Sequence, residues 1–219
     1  MKIHEIHLSV PSLSAMQAFY QGVLDLDFQA GAGDSLVFQT GLSQLHFTES
    51  ATAAGGYHFA FNIPANQIVA AQAYLTRRGV RILRQPDGHE IVQFPNWHAQ
   101  SVYFFDPAGN IVECIARRDL DNDNDRPFGP AAWLAVSEIG IVTSDVWQWR
   151  AEALRLYGIG DFDKQPASPG FSALGSDHGL FIVVPTGRQW FMTDIPATPQ
   201  PLAVRFENDA GQLFTLSAS

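Results

Sequence analysis

The sequence predicts an α+β fold made of repeats of one unit: a strand, a helix, then several strands. Three observations carry this. Ile3–Val10 reads as a strand and runs into a serine-capped segment of helical periodicity. The same order restarts at Tyr57 and again at Val136. Glu138-Ile139-Gly140-Ile141 also repeats the character of Glu5-Ile6-His7-Leu8, and each is followed by a Ser or Asp cap and a helix.

In the first unit, Ser12 and Ser14 offer helix caps, and Ser14 with Gln17 forms an S-x-x-Q capping box. Leu13, Met16, Phe19/Tyr20 and Val23 follow at helical spacing. Ser35–Gln39 and Gln44–Thr48 read as strands, with Thr40-Gly41 near their turn, and Gly55-Gly56 marks a break. In the second unit, Tyr57–Ile63 is a strand. Asn66–Arg78 is a helix with Ile68, Ala71, Gln72 and Leu75 on one side and Gly79 as its stop. Val80–Leu83, Glu90–Phe94, Ser101–Phe105 and Ile111–Ala116 are the strands after it. Arg117–Gly129 is polar and charged and reads as a linker or exposed loop. The third unit opens with strand Val136–Thr143. A helix capped by Ser144 or Asp145 runs from there to about Tyr157 and closes at Gly158. Strands fit Phe171–Leu174, Leu180–Val184, Leu202–Phe206 and Leu213–Leu216.

The hairpin from Ser101 to Ala116 holds the first candidate for chemistry. Asp106-Pro107-Ala108-Gly109 has type I turn character: Asp opens it, Pro107 presets φ, and Gly109 tolerates positive φ. Ile111, Glu113 and Ile115 share one face of the return strand, and Val112, Cys114 and Ala116 the other. With both faces mostly apolar the strand is buried. A carboxylate there is costly unless something pairs with it or coordinates it.

The composition narrows the function. The 219 residues are 46% hydrophobic and 12% aromatic, enough for a substantial core. A net charge of −9 with no basic stripe argues against nucleic acid. The lone Cys114 excludes an intrachain disulfide and a cysteine-only metal cage. Neither a leader pattern nor a membrane-length apolar run is present, so no membrane partner and a cytoplasmic location are expected.

Four segments together resemble the vicinal oxygen chelate superfamily, which includes glyoxalase I, fosfomycin-resistance thiol transferases, bleomycin-binding proteins and extradiol dioxygenases. They are E-I-H-L-S-V, A-F-Y-Q-G-V-L-D-L-D-F, Y-H-F-A-F-N-I and Y-F-F-D-P-A-G-N-I-V-E. The likeness is good from Met1 to about Arg118 and weak beyond. It implies paired βαβββ modules whose curved sheets form a funnel around a divalent metal. The modules would span 1–55 and 56–118, followed by a linker over 119–134. A third, degenerate module over 135–219 would cover a sheet or form a homodimer contact.

By family position, His58 and Glu113 are implied metal ligands. The first-strand ligand is shared between two residues: alignment favours Glu5, whereas the repeat favours His7, because Glu138 is kept in the third copy while Gly140 replaces His7. Ile182 replaces His46 in that copy, so the third module is expected to hold no metal. His46, Tyr57, Trp97 and Tyr103 are candidates for contact with substrate, and His98 is a candidate acid or base. Imidazole with carboxylate suits Fe²⁺, Mn²⁺, Zn²⁺ or Ni²⁺. The function implied is a metal-dependent enzyme whose small-molecule substrate chelates through adjacent oxygens, by lyase/isomerase, thiol-transfer or ring-cleaving chemistry. The alternative is a metal-free binding protein of the bleomycin-resistance kind.

Overall fold

A computed structural model describes residues 1–31, 33–53 and 56–218, the side chain of Ala30 excepted; Gly55 of the expected break lies outside the described residues. Strand β1 (Lys2–Val10) buries Ile3, Ile6, Leu8 and Val10, and turns Glu5 and His7 to the other face. Ser12 ends it by accepting the Ala15 N–H, which caps helix α1 (Leu13–Gln17). The helix then widens into a π-helical stretch, Ala18–Val23. Strands β2 (Asp27–Ala30), β3 (Ser35–Thr40) and β4 (Ser43–Glu49) complete the first module.

The second module is β5 (His58–Ile63), α2 (Ile68–Arg77), β6 (Val92–Phe94), β7 (Ala99–Phe105) and β8 (Ile111–Arg117). Helix α2 buries Ile68, Ala71, Tyr74 and Leu75, one stripe at helical spacing. The turn before β8 forms as its residues dictate. Asp106 accepts from the Ala108 and Asn110 amides through Oδ1, and Gly109 takes φ +80°. The third module supplies β9 (Ala135–Thr143), α3 (Val146–Tyr157), β10 (Ser172–Ser176) and β11 (Gly179–Pro185). Asp145 caps α3, and Gly158 closes it in the left-handed conformation.

Two curled sheets result. The seven-stranded sheet has the order β10-β11-β9-β5-β8-β7-β6, so the second and third modules join edge to edge through β5 and β9. The six-stranded sheet holds the first module and a returning hairpin, β12 (Leu202–Glu207) and β13 (Leu213–Ala218), in the order β13-β12-β1-β4-β3-β2. Residues 135–219, expected as one appended module, are thus divided between the sheets. One core holds Ile6 and Leu8 of β1, Phe59 and Phe61 of β5, Ile139 of β9, and Met16, Tyr20, Leu75 and Val146 of the helical segments. Both sheets therefore turn one face to the helices and keep the other for Glu5 and His7, or for His58, Glu113 and Glu138.

Segment 119–134, expected as a linker, is tied down along its length. Asn122 Oδ1 accepts the Ala65 N–H, and Gln67 Nε2 donates to the Asn124 and Arg126 carbonyls ahead of α2. Fully buried Trp133 donates its indole N–H to the Leu24 carbonyl at 3.1 Å. Burial of such a side chain is worth about 2–3 kcal/mol, which holds the segment against the core. Val80–Leu83 is not a strand: only Ile82 bridges to Phe104.

Candidate metal centre

Three buried side chains converge on the free face of the seven-stranded sheet. They are His58 from β5, Glu113 from β8 and Glu138 from β9, and one ligand atom of each lies within 4.8 Å of the others. Strand register explains the meeting. β5 pairs in parallel with β8, setting Ala60 against Glu113; β5 also pairs antiparallel with β9, setting Ala60 against Glu138. Both carboxylates thus flank small Ala60, one residue pair along from His58.

Each ligand is held by its far side. The Glu113 Oε1 accepts from the Ser101 hydroxyl at 2.5 Å, leaving Oε2 3.6 Å from His58 Nε2. The Glu138 Oε1 accepts from the Arg117 guanidinium, leaving Oε2 3.8 Å from the same nitrogen. His58 Nδ1 lies 3.3 Å from the Ile111 carbonyl, which fixes the N–H there and turns the Nε2 lone pair to the carboxylates. Each residue therefore offers one atom to a shared centre. Arg117 is completely buried and also bonds Ser137 and Asp177, so Glu138 is not an unpaired buried charge.

The electrostatics are those of a group prepared for a cation. Burial pushes the Glu113 carboxyl up to about 7, the Glu138 charge adds to this, and His58, Ser101 and Tyr103 pull against it. Burial opposes charge on His58, but the pull of the Glu138 and Glu113 carboxylates outweighs it and raises the imidazole above its ordinary value. Two anionic oxygens and one imidazole nitrogen fit a divalent cation of the borderline class. The position on β11 that mirrors Glu113 is Ile182, which donates nothing and lines the cavity.

Above the cluster lies a cavity of about 360 Å³, within the range of small-molecule sites. Phe94, Trp97, Tyr103, Phe171, Trp190 and Phe191 form most of its wall, with Gln165 and Arg188 as polar members. The Trp190 ring stands 5.3 Å from His58. It fits because position 140 is glycine: a Cβ there would meet Trp190 Cη2 at 2.6 Å. Gly140, which in sequence suggests a copy without a metal, is the room that Trp190 occupies.

The structure divides the residues expected from sequence. His58 and Glu113 stand together, and Trp97 and Tyr103 line the cavity over them. Glu5 and His7 do not join them. They form a separate, more exposed cluster with His46 on the six-stranded sheet, where His7 stacks on His46 at 4.1 Å. Tyr57 donates its hydroxyl to the Pro201 carbonyl at 2.5 Å and takes no part in the cavity wall. His98 ends the turn Pro95–Trp97 with φ +47°, is exposed, and pairs with Asp119 at 3.0 Å. Trp97 turns inward from the same turn. The third module, expected to be without a share in the site, brings Glu138 to the cluster. Sequence reasoning also passed over Arg117, grouped with the linker, and the wall residues Arg188 and Trp190. The available signal for Glu138 was the repeat itself, which sets it at the same strand position as His58.

Among the described residues, no helix is long and apolar enough to cross a membrane. The sequence profile of the Glyoxalase/Bleomycin resistance protein/Dioxygenase superfamily matches residues 2–114. A provisionally assigned dioxygenase from Bacillus subtilis is similar in structure across 99% of this chain and 84% of its own, at 16% identity and a TM-score of 0.64. A lactoylglutathione lyase from Agrobacterium tumefaciens covers 51% of this chain and 90% of its own, at 23% identity and a TM-score of 0.43. A glyoxalase/dioxygenase from Nostoc punctiforme covers 53% and 90%, at 21% identity and 0.43. No curated protein matches the chain. At these identities the likeness concerns the fold, which the Bacillus protein shares over nearly the whole chain. With its profile match over half the chain, this protein belongs to the Glyoxalase/Bleomycin resistance protein/Dioxygenase superfamily.

Proposed function

We propose that this protein is a divalent-metal-dependent enzyme acting on a small molecule with two adjacent oxygens. The carrying observation is the buried His58–Glu113–Glu138 group at the floor of an aromatic cavity. These three would hold the metal. A bound divalent ion supplies Lewis-acid charge that chelates the oxygen pair and stabilises negative charge developing on it.

The chain's own residues do the rest. Ser101 and Arg117 hold one oxygen of each carboxylate, so that each ligand stays aimed through its other oxygen. The Ile111 carbonyl fixes the His58 tautomer. Ile182 leaves its side of the centre without a protein donor, room for substrate oxygens. The aromatic walls exclude water and lower the local dielectric, which strengthens charge–charge interaction at the centre. A planar substrate suits those walls, and both oxygen-dependent ring cleavage and isomerisation of an oxygen-chelating adduct are compatible with them.

The test is metal content. Full-length protein stripped with chelator and dialysed separately against Fe²⁺, Mn²⁺, Zn²⁺ and Ni²⁺ should retain about one tightly bound ion per chain for at least one of them. Retention near zero for all four would refute the metal enzyme and leave the metal-free binding protein.

A further inference from the structure

The cavity is two-sided in charge. Its floor is the anionic cluster. Its wall from the segment after β11 carries Arg188 and Trp190. Arg188 makes no ion pair with any described carboxylate; its one hydrogen bond is a long 3.5 Å contact from Nη1 to the Gln189 carbonyl. Other arginines also make no ion pair (Arg77, Arg81, Arg118, Arg126 and Arg155), but those are exposed, whereas Arg188 is half-buried. Burial without a counter-charge lowers the Arg188 pKa. The guanidinium lies 5.2 Å over the Phe171 ring, which confines it to the wall. A cation half-buried in a cavity wall is normally paired, so Arg188 points to a ligand that brings an anionic acceptor.

We infer that the cavity takes a planar, largely apolar anion whose carboxylate, or a similar monoanionic group, is bound by Arg188. This deepens the proposed function and rests on it only for the oxygen pair at the floor. Charge balance favours it: the carboxylates of the floor would be met by a divalent ion and by Arg117, and Arg188 is the cation of the cavity wall without a carboxylate partner. A guanidinium presents paired donors in the plane a carboxylate needs, and stacking on Phe171 leaves that edge free. The six aromatic side chains and the volume of about 360 Å³ suit a body of one or two fused rings.

The test uses the full chain and two probes of one shape, 2-naphthoate and its neutral isostere 2-naphthamide, neither of which presents vicinal oxygens. Binding is followed by calorimetry, on metal-loaded and on chelator-stripped protein. The expected result is at least a tenfold preference for naphthoate on loaded protein. Arg188→Gln should reduce this to within twofold, and Arg188→Lys should keep part of it. Equal affinity for the two probes, no binding of either at millimolar concentration, or a preference that survives Arg188→Gln would overturn the inference. Failure of the metal reading is distinguishable: it appears as absent metal retention, while naphthoate discrimination through Arg188 persists.

Discussion

The two sheets set the same backbone positions and fill them differently. On β5 and β8, Glu113 stands opposite the residue two beyond His58; on β1 and β4, His46 stands opposite the residue two beyond Glu5. The pair β9 and β11 repeats the relation with Glu138 and Ile182. The residue in between is Ala60 in β5 and Gly140 in β9, which leaves space. In β1 it is His7, which fills the space by stacking on His46. The neighbouring strand differs as well. β9 places Glu138 opposite Ala60, whereas β12 places Ala203 opposite His7 and brings Arg205 to Glu5 at 2.6 Å. Cover differs too: the Glu113 and Glu138 side chains are each 3% exposed, against 21% for Glu5 and 44% for His7. Strand position alone does not make a centre. It takes a second carboxylate from the partner strand, a small residue between the ligands, and a wall over them.

The largest expected difference is in metal retention. Glu138→Gln should lower affinity at least about a hundredfold while the fold persists, since a neutral amide replaces one of three ligands and its oxygen still accepts from Arg117. Glu5→Ala, His7→Ala and His46→Ala, singly or together, should leave the tightly held ion in place. Metal analysis of the four variants after dialysis checks this, and loss on the β1 side would break the comparison.

Next in size are the two Arg–Glu pairs. Arg117→Ala removes a buried partner and strands Glu138, so unfolding in urea should show a loss of about 3–5 kcal/mol. Arg205→Ala breaks an exposed pair on the other sheet and should cost less than about 1 kcal/mol. Similar losses from the two would show that burial does not separate them.

Much of this was legible in the chain, and the rest fails for identifiable reasons. The sequence bounds helix α3 by Ser144 or Asp145 and by Gly158, and of these Asp145 and Gly158 act as caps. Glu113 was found because both faces of its strand are apolar. Strand β2 went unread, being four residues long beside glycines. Arg117 was grouped with the polar run after it, although its side chain points into the sheet. Glu138 was set aside because its role depends on β9 lying beside β5, and strand order across modules leaves no mark in local periodicity. The same blindness paired Glu5 or His7 with His58, since one chain does not tell which sheet each first strand joins.

Gly140→Ala forces a Cβ against Trp190, 2.6 Å from Cη2, and should destabilise by about 1–3 kcal/mol while shifting tryptophan emission. His7→Ala, at the matching position, should stay within about 0.5 kcal/mol.

A further expected effect is in pH dependence. Burial raises Asp106, at the β7–β8 turn, to about 6, against the opposing pull of its bonds from Asn110, Tyr20 and Ala108. The folded state therefore binds this proton more tightly than the unfolded chain. Its contribution is full below about pH 4 and lost as pH rises through about 6. Asp106→Asn should flatten that part of the stability profile, and an unchanged slope between those values would contradict the assignment.

The central claim is that the centre belongs to the seven-stranded sheet and needs the third module. Anomalous diffraction from crystals of metal-loaded protein tests it most directly. The account predicts one strong peak bounded by His58 Nε2, Glu113 Oε2 and Glu138 Oε2. A peak instead among Glu5, His7 and His46, or none with metal present in the crystal, would contradict it.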